Sequence, residues 1–332
     1  MVHETSHYDV IIVGGGPIGI ACALECKELN LSYLVLEKGT LVNSLYHYPK
    51  GMQFFSSSDK LSLKNTPFIS KEPKPFRDEA LAYYRTIAQS EQLNIKLFER
   101  VTDISTSDGS FAIQTSKGTY HSSAVIIATG FFDIPNTLNI PGENLEKVTH
   151  YFNDPHYYAN QKVVVVGANN SAVDAALSCY RAGAEVTMIV RGKEIGERVK
   201  YWVRPEIINR IEDGSITAYF ESSLTQIEPN AVTLSTPSGL QSTFNDFVLL
   251  MTGYQPDYVF LSRIGIEIDQ DENKTPIVNE ETLESSVEGL YLAGVVLGGM
   301  KTNLWFIENS REHAQRIGSH IKNKLLKNTA NS

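Results

Sequence analysis

The sequence predicts an α/β protein in which two similar units occur, one inserted into the other. The stretches at 8–37 and 161–194 each begin with an apolar, β-branched run that passes through a glycine-containing loop into a helical segment. Each stretch then ends in a second apolar run, as in a β-α-β unit with a parallel sheet. A later strand, "VEGLYLAGVV" at 287–296, is typical of a chain that returns to its first unit. With 332 residues the chain is long enough for two domains.

Composition limits the functions that the chain can have. Its formal net charge of −9 disfavours nucleic acid and anionic membrane surfaces as partners. No apolar stretch approaches the roughly 20 residues that span a bilayer, and "MVHETSHYDV" lacks the features of a secretory signal. Three cysteines and histidines without metal-ligand spacing predict neither a disulfide framework nor a metal site. We therefore expect a cytoplasmic protein.

The first glycine-rich loop predicts a dinucleotide site. Gly14, Gly16 and Gly19 form G-x-G-x-x-G between the strand at 8–14 and the helix at 17–29. In this pattern the first glycine permits a tight turn, the second lets the backbone approach a pyrophosphate, and the third allows close packing. Glu37 follows Gly19 by 18 residues (37 − 19), close to the spacing of an acid that binds a ribose hydroxyl. A purely structural turn is the alternative.

The second loop, "GANNSA", lies between the predicted strand at 162–166 and the predicted helix at 171–182. Gly167 and the small Ala172 occupy the positions of the first and third glycines. This loop therefore predicts a second phosphate-binding turn.

The next strand, at 185–190, ends in Arg191 rather than in an acid, and Lys193 follows. A guanidinium suits a 2′-phosphate, so this ending favours NADPH over NADH, although a solvated basic loop is the alternative. One site for a free ribose diol and one for a 2′-phosphate predict FAD on the first unit and NADPH on the second. The chemistry would then begin with hydride transfer between these two cofactors.

We expect two Rossmann-like dinucleotide-binding domains, with the NADPH domain inserted into the FAD domain. The FAD domain would comprise 1–149 and 246–332, and the NADPH domain 150–245. The related sequences "IATGFFDIPN" and "MTGYQPD" mark the two crossings, and two sequential domains are the alternative. A long helix is predicted after Gly298-Gly299; if its first turn, near Thr302 and Asn303, faces the flavin, its dipole would stabilise the reduced, anionic form.

The order of these motifs resembles the flavoproteins with two dinucleotide-binding domains, which include the thioredoxin reductases. The resemblance is closer to the YpdA-type bacillithiol disulfide reductases. It is carried by "GGGPIG", "LEKGTLVNSLYHYPKGMQFFSSSDKL", "KPFRDEALAYYR", "IATGFFDIPN", "HYFNDPHYY", "MTGYQPDYVFL" and "FIENSREH", which together extend over nearly the whole chain. It implies FAD, NADPH, a cytoplasmic reductase and a homodimer.

Motif and resemblance together give a set of candidate cofactor-binding residues, in which the Tyr46–Tyr48 loop and Gln53 would lie near the isoalloxazine. The set is Gly14, Gly16, Pro17, Ile18, Gly19, Glu37, Lys38, Tyr46, Gln53, Val101, Thr129, Gly130, Gly167, Asn169, Asn170, Ser171, Ala172, Arg191, Lys193, Gly253, Gly294, Val295 and Thr302.

The chain departs from these families at three points. It has no C-x-x-C dithiol, and "AGV" at 293–295 lacks the aspartate that many flavoproteins carry there. At the fifth position of "GGGPxG", where bacillithiol-type members carry the cysteine taken to attack the disulfide, this chain has Ile18. Isoleucine cannot form a mixed disulfide. The remaining weak catalytic candidates are Cys22, one helical turn beyond Ile18, and His47, a possible proton donor; packing is the simpler role for both.

The predicted function is an FAD-containing, NADPH-dependent oxidoreductase. Its acceptor would be a low-molecular-weight disulfide, a quinone or a small redox protein. The alternative is a flavin-containing monooxygenase that forms a flavin hydroperoxide, because His150 precedes the second loop as a histidine does in that class. A non-enzymatic FAD-bound protein is disfavoured, since it would have no use for the second loop.

Overall fold

The computed structural model of the protein describes residues 7–107 and 109–330. Within them the strands are β1 (His7–Val13), β2 (Tyr33–Leu36), β3 (Ile95–Lys96), β4 (Val101–Ser107), β5 (Ser110–Thr115), β6 (Thr119–Ile127), β7 (Ile134–Pro135), β8 (Val148–Thr149), β9 (Lys162–Val166), β10 (Glu185–Ile189), β11 (Thr217–Tyr219), β12 (Ser223–Ile227), β13 (Ala231–Thr236), β14 (Gly239–Phe244), β15 (Phe247–Leu250), β16 (Tyr254–Gln255) and β17 (Leu290–Leu292). The helices are α1 (Pro17–Glu28), α2 (Asn43–Tyr46), α3 (Ser58–Leu61), α4 (Arg77–Ser90), α5 (Asn170–Arg181), α6 (Arg204–Glu212), α7 (Tyr258–Arg263), α8 (Ile307–Ser310) and α9 (His313–Ala330). Short 3-10 helices cover Pro155–Tyr158 and Gly294–Gly298.

The described chain divides into two compact units, and both are discontinuous in sequence. The first unit contains the described residues of 1–46, 56–134 and 254–332, and the second contains 47–55 and 135–253. These limits differ from the predicted domains, 1–149 with 246–332 and 150–245. The difference arises because β8 and β15 pair within the sheet of the second unit.

The first unit is built on a seven-stranded sheet of order β3-β2-β1-β6-β5-β4, with β17 paired to the second half of β6. The pairs β2–β1, β1–β6 and β6–β17 are parallel, whereas β4, β5 and the first half of β6 are antiparallel. In β1, Val10, Ile11 and Ile12 are completely buried. A continuous apolar run of this kind is required where both faces of a parallel strand are covered.

Helix α1 packs on β1 and β2 and also on α9. Gly318 permits the close approach of α9, since a Cβ at that position would lie 2.6 Å from Glu25 Cγ. Residues 18–26 are therefore buried on every side of the helix rather than along one stripe.

The second unit has a parallel sheet of order β11-β10-β9-β15-β8. On one face Val165 packs in a core with Val173 of α5. On the other face Val164 packs in a core with Leu234 of the antiparallel sheet β12-β13-β14. The predicted α/β class with two Rossmann-like units is confirmed.

Candidate functional site

Four of the predicted segments lie at one edge of the first sheet. The parallel strands β2, β1, β6 and β17 end at the same level of that sheet. The segments that follow these ends are 37–38, 14–19, 128–130 and 293–295. Ligands of open α/β sheets bind at this carboxyl edge.

The first and third glycines of the first loop are fixed by sterics. Gly14 has φ +112°, donates its N–H to Leu36 O at 2.8 Å, and would place a Cβ 2.5 Å from Ala128 O. A Cβ on Gly19 would lie 1.9 Å from Gly14 O. Neither position accepts a side chain without moving backbone.

Gly16 is different, because a Cβ built on it meets no protein atom within 4 Å. It is the N-cap of α1 in an extended conformation, Pro17 follows, and the first helical turn carries no acidic side chain. The helix thus presents its positive end to open space, and a pyrophosphate is the ligand that such a terminus favours.

Glu37 lies in the adjoining segment and is 5% exposed. Its two carboxylate oxygens accept the N–H groups of Gly15 at 2.7 Å and Gly39 at 2.8 Å. Burial raises the pKa of Glu37, and these two donors oppose the rise. Each oxygen has a second lone pair, so the carboxylate can still accept ribose hydroxyls.

Lys38 and Val101 lie near this acid. The Lys38 ammonium forms an ion pair with Asp133, which neutralises its charge within the first unit. The N–H of Glu99 donates to Glu37 O at 2.9 Å, so Val101, two residues later at the start of β4, lies close to the end of β2.

The structure also brings together Ile18 and the segments at 129–130 and 294–295. Gly130 has φ +71°, and a Cβ there would lie 3.7 Å from Val295 Cγ2. Gly294 has φ +85°, and a Cβ there would lie 3.2 Å from Ile18 Cγ1. Ile18 is 8% exposed in the first turn of α1. The isoleucine therefore fills the space next to Gly294.

The predicted isoalloxazine loop is divided between the two units. Tyr46 ends α2 in the first unit, where buried Arg77 donates to the backbone oxygens of Leu45 (3.2 Å) and Tyr46. Sequence reasoning missed Arg77, because a lone arginine at a helix start gives no sign that it will be buried.

His47, Tyr48 and Gln53 belong to the second unit. Their segment is held there by Lys50, whose N–H donates to Asn153 O at 2.8 Å and whose ammonium pairs with Asp154 at 2.7 Å.

The helix predicted to begin near Thr302 and Asn303 begins later, so that prediction is wrong. Residues 302–304 form a turn, and α8 starts at Ile307, where Asn309 Oδ1 accepts the N–H of Phe306 at 2.7 Å. Residues 311–312 form a turn that separates α8 from α9. Thr302 is therefore not at a helix N-terminus, and no helix dipole acts there.

His313, the first residue of α9, was not among the candidate residues, yet the structure buries it beside Gly294. It is 1% exposed, and its Nδ1 accepts the N–H of Gly294 at 3.1 Å. Burial, with a smaller effect of Arg316, lowers the pKa of His313 to about 4. The signal in the sequence was its spacing with Ile317 and Ile321, both buried on the same helix face.

The loop of the second unit follows β9. Gly167 has φ +128°, and a Cβ there would lie 2.7 Å from Met251 O and 3.1 Å from the Cβ of Ala172. Asn169 is the extended N-cap of α5 without a side-chain capping bond, and exposed Ser171 lies in a first turn that has no acid. This helix end is thus also available to an anion.

The side chain of Asn170 has a structural partner. Its Oδ1 accepts the N–H of Lys200 at 2.9 Å, and its Nδ2 donates to Arg198 O at 3.2 Å. Lys200 in turn pairs with Asp174 at 2.7 Å. Asn170 therefore fixes the segment 198–200 against the start of α5.

The remaining candidates of this unit lie at neighbouring strand ends. Arg191 and Lys193 are exposed after β10, and Lys193 Nζ lies 4.0 Å from Glu221. Gly253 follows β15 with φ +88° and accepts the N–H of Asn136 at 2.9 Å.

The three cysteines are free and buried. Burial raises the pKa of Cys22 well above its usual value, and burial also raises the pKa of Cys26 and Cys179 to about 12. A reactive cysteine needs the opposite shift, because the thiolate is the nucleophile.

Within 7–107 and 109–330, the structure shows no group of three or more His, Cys, Asp or Glu residues placed to hold a metal ion. None of the helices it describes there is long and apolar enough to cross a membrane.

The fold and the family match define an oxidoreductase. Residues 11–294 match the family described as pyridine nucleotide-disulphide oxidoreductase, and the chain belongs to this family. It is an enzyme of that class.

Within the family, the chain is 43% identical over 313 residues to bacilliredoxin reductase Bdr of Bacillus subtilis strain 168. This match covers 94% of this chain and 96% of that protein. Two solved structures of bacillithiol disulfide reductase Bdr (YpdA) are also similar. The one from Staphylococcus aureus is 40% identical, with a TM-score of 0.94 and coverage of 96% of this chain and 99% of that chain. The one from Bacillus cereus is 38% identical, with a TM-score of 0.94 and coverage of 96% and 100%. The resemblance to the YpdA type is thus confirmed.

Proposed function

We propose that the protein is an FAD-dependent NADPH oxidoreductase of the Bdr (YpdA) type that acts as a cytoplasmic homodimer. The proposal rests on the difference between the strand ends that adjoin the protein's two glycine loops. The strand next to the first loop ends in buried Glu37, and the strand next to the second ends in exposed Arg191. An acid suits the ribose of FAD, and a guanidinium suits the 2′-phosphate of NADPH.

The residues of the first unit fit FAD. The space at Gly16 leaves room for the diphosphate, and the first turn of α1 supplies backbone N–H groups and a positive dipole end. Glu37 keeps lone pairs for the adenosine ribose. The segments at 129–130 and 294–295 are then the proposed neighbours of the isoalloxazine ring.

The residues of the second unit fit NADPH in the same way. Gly167 makes the turn, the N-cap of α5, which has no side-chain capping bond, receives the diphosphate, and Asn170 keeps the adjoining segment in place. Bound FAD would supply a two-electron carrier between NADPH and an acceptor.

The chain contributes no thiol relay to this reaction. Ile18 occupies the position that the resemblance assigns to the attacking cysteine, and burial holds the pKa of Cys22 and Cys26 far above neutrality. The acceptor would therefore be reduced without a protein thiol as intermediate. The proposed acceptor is a low-molecular-weight disulfide, a quinone or a small redox protein; for a disulfide, NADPH and one proton yield NADP⁺ and two thiols.

The monooxygenase alternative rested on His150, and its surroundings offer a structural role. His150 Nε2 lies 3.5 Å from Glu143, whose carboxylate accepts the N–H groups of Leu138 at 2.8 Å and Asn139 at 2.7 Å. The histidine thus adjoins a carboxylate that closes the turn at 138–143. A structural role next to this turn accounts for His150 without a reaction with oxygen.

Acceptor-dependent NADPH oxidation by the FAD-loaded protein, measured without oxygen, tests the proposal. Bacillithiol disulfide, a benzoquinone and an oxidised flavodoxin would be supplied separately. We expect at least one of them to sustain turnover. No turnover with any of the three acceptors, together with NADPH oxidation that begins only when oxygen is admitted and that transfers an oxygen atom to an added amine or sulfide, would contradict the reductase and establish the monooxygenase.

A further inference from the structure

The outer edge of the three-stranded sheet in the second unit is open. Strand β14 pairs with β13 over its whole length without a bulge, and on its other side it pairs with none of the strands that the structure describes. Open strand edges bind further strands, so natural proteins usually protect them with charged residues, prolines or bulges. The sequence of β14, GLQSTF, contains neither a charged residue nor a proline. This edge is therefore unprotected.

The direction of the backbone groups of β14 follows from the alternation of antiparallel pairs. The N–H of Asn245 donates to Asn230 O at 3.0 Å, so Asn245 directs its backbone groups towards the neighbouring strand. Every second residue of an antiparallel strand does the same. Leu240, Ser242 and Phe244 therefore direct their N–H and C=O groups away from β13, towards the open edge.

The side chains of these three residues lie on the outer face of the sheet. Leu234 of β13 is buried in the core, and its partner Gln241 lies on the same inward side. Since side chains alternate along a strand, Leu240, Ser242 and Phe244 face outward. Leu240 is 74% exposed and Phe244 is 75% exposed. The open edge thus carries two large apolar side chains, one on each side of a small polar one.

This order of side chains matches a second copy of the same strand. If two β14 strands pair antiparallel about a twofold axis at Ser242, each Leu240 lies opposite Phe244 of the second copy. All the residues with outward backbone groups then form hydrogen-bonded pairs, and the Leu–Phe pairs stabilise the contact. A shift of two residues would place Ser242 opposite one of the apolar side chains and would lose a pair. A second copy therefore fits this edge in one register, whereas a foreign strand has no reason to match it.

We propose that the homodimer forms by antiparallel pairing of two β14 strands, with Ser242 on the twofold axis. The sheets β12-β13-β14 of the two copies then join into one six-stranded sheet. Both copies use the same surface, as in most homodimers. This inference rests on the homodimer of the proposed function and names its interface.

Charged residues at position 242 test the twofold axis. In Ser242→Lys two ammonium groups lie opposite each other, and in Ser242→Glu two carboxylates do; like charges placed directly opposite destabilise a strand pair. In an equimolar mixture of the two variants, a heterodimer brings opposite charges together. Ser242 is exposed and its backbone groups point away from β13, so neither substitution disturbs the fold. The control Gln226→Lys adds the same charge at an exposed position of β12, at the other end of the sheet.

Sedimentation velocity over a range of protein concentrations gives the dissociation constant of the dimer, and far-UV circular dichroism reports the fold. We expect each position-242 variant alone to raise this constant about fivefold or more. The equimolar mixture should return to within about threefold of the wild type. Gln226→Lys should dimerise as the wild type does, and all variants should keep the wild-type circular dichroism.

A wild-type dissociation constant in both position-242 variants would overturn the inference and leave the homodimer with another interface. Weakened dimers that the mixture does not restore would overturn the placement of Ser242 on the axis. Wild-type protein that stays monomeric at every concentration would overturn the proposed homodimer and this inference with it.

Discussion

Replacement of Gly16 by alanine should separate cofactor binding from folding. A Cβ at this position meets no protein atom within 4 Å, and the extended backbone there accepts any residue. Alanine gains stability by restricting the unfolded chain, by about 0.4–1 kcal/mol, but it is a poorer N-cap than glycine by a similar amount. We therefore expect the free energy of unfolding of the apoprotein to change by less than about 1 kcal/mol.

The effect on FAD should be larger. The new methyl group would occupy the space through which a pyrophosphate reaches the N–H groups of α1. A charge-assisted hydrogen bond contributes about 1.5–3 kcal/mol, so loss of one bond weakens FAD binding about 10- to 100-fold. Titration of apoprotein with FAD, followed by flavin fluorescence, gives the dissociation constant, and thermal unfolding of the apoprotein gives its stability.

Two other glycines serve as controls. Gly118 also has open space at its Cβ position but lies between β5 and β6, so Gly118→Ala should bind FAD normally. Gly19→Ala should fail to accumulate as folded protein, because its Cβ would meet Gly14 O at 1.9 Å. An affinity of Gly16→Ala within about twofold of the wild type would refute the assignment of this loop.

Three further outcomes are expected. In steady-state kinetics, Arg191→Ala should raise the KM for NADPH about tenfold, because one charge-assisted hydrogen bond is lost, and should leave the KM for NADH unchanged. The control Arg181→Ala removes an exposed charge elsewhere in the second unit and should change neither KM. Ile18→Cys should turn over a low-molecular-weight disulfide faster than both the wild type and Ile18→Val. Its free energy of unfolding, measured in urea, should be about 1–2 kcal/mol lower than that of the wild type. Equal rates in all three proteins would contradict a role for this position. Burial lowers the pKa of His313 from 6.5 to about 4, so the unfolded chain binds the proton more tightly than the folded chain does. The free energy of unfolding of the wild type should therefore fall by up to about 3 kcal/mol as the pH falls from about 6.5 to 4. His313→Asn should lose less over the same interval in pH-dependent denaturant unfolding, and an equal loss would show that other groups cause it.

The local patterns of the sequence were sufficient to predict the fold. The apolar runs in β1 and β9 and the glycine spacing after β1 fix a parallel strand, a turn and a helix within one short stretch of chain. The three-residue strand β17 was also expected, although it was predicted to be longer.

Features that depend on distant contacts were not predictable in this way. The limits of the second unit follow from the pairing of β15 with β9, and its extra segment 47–55 follows from the contacts of Lys50. Neither pairing leaves a periodic signal in the sequence. The late start of α8 depends on the cap that Asn309 provides. The partnership of His313 with Gly294 depends on how α9 packs, which the spacing of buried residues indicates only as a face.

Anaerobic reduction of the FAD-loaded protein by one equivalent of NADPH, compared with NADH, tests the central claim most directly. Loss of the absorbance of oxidised flavin reports hydride transfer between the two sites. We expect NADPH to bleach the flavin completely and faster than NADH does. If neither nucleotide bleaches the flavin, the assignment of FAD to the first loop and NADPH to the second is contradicted.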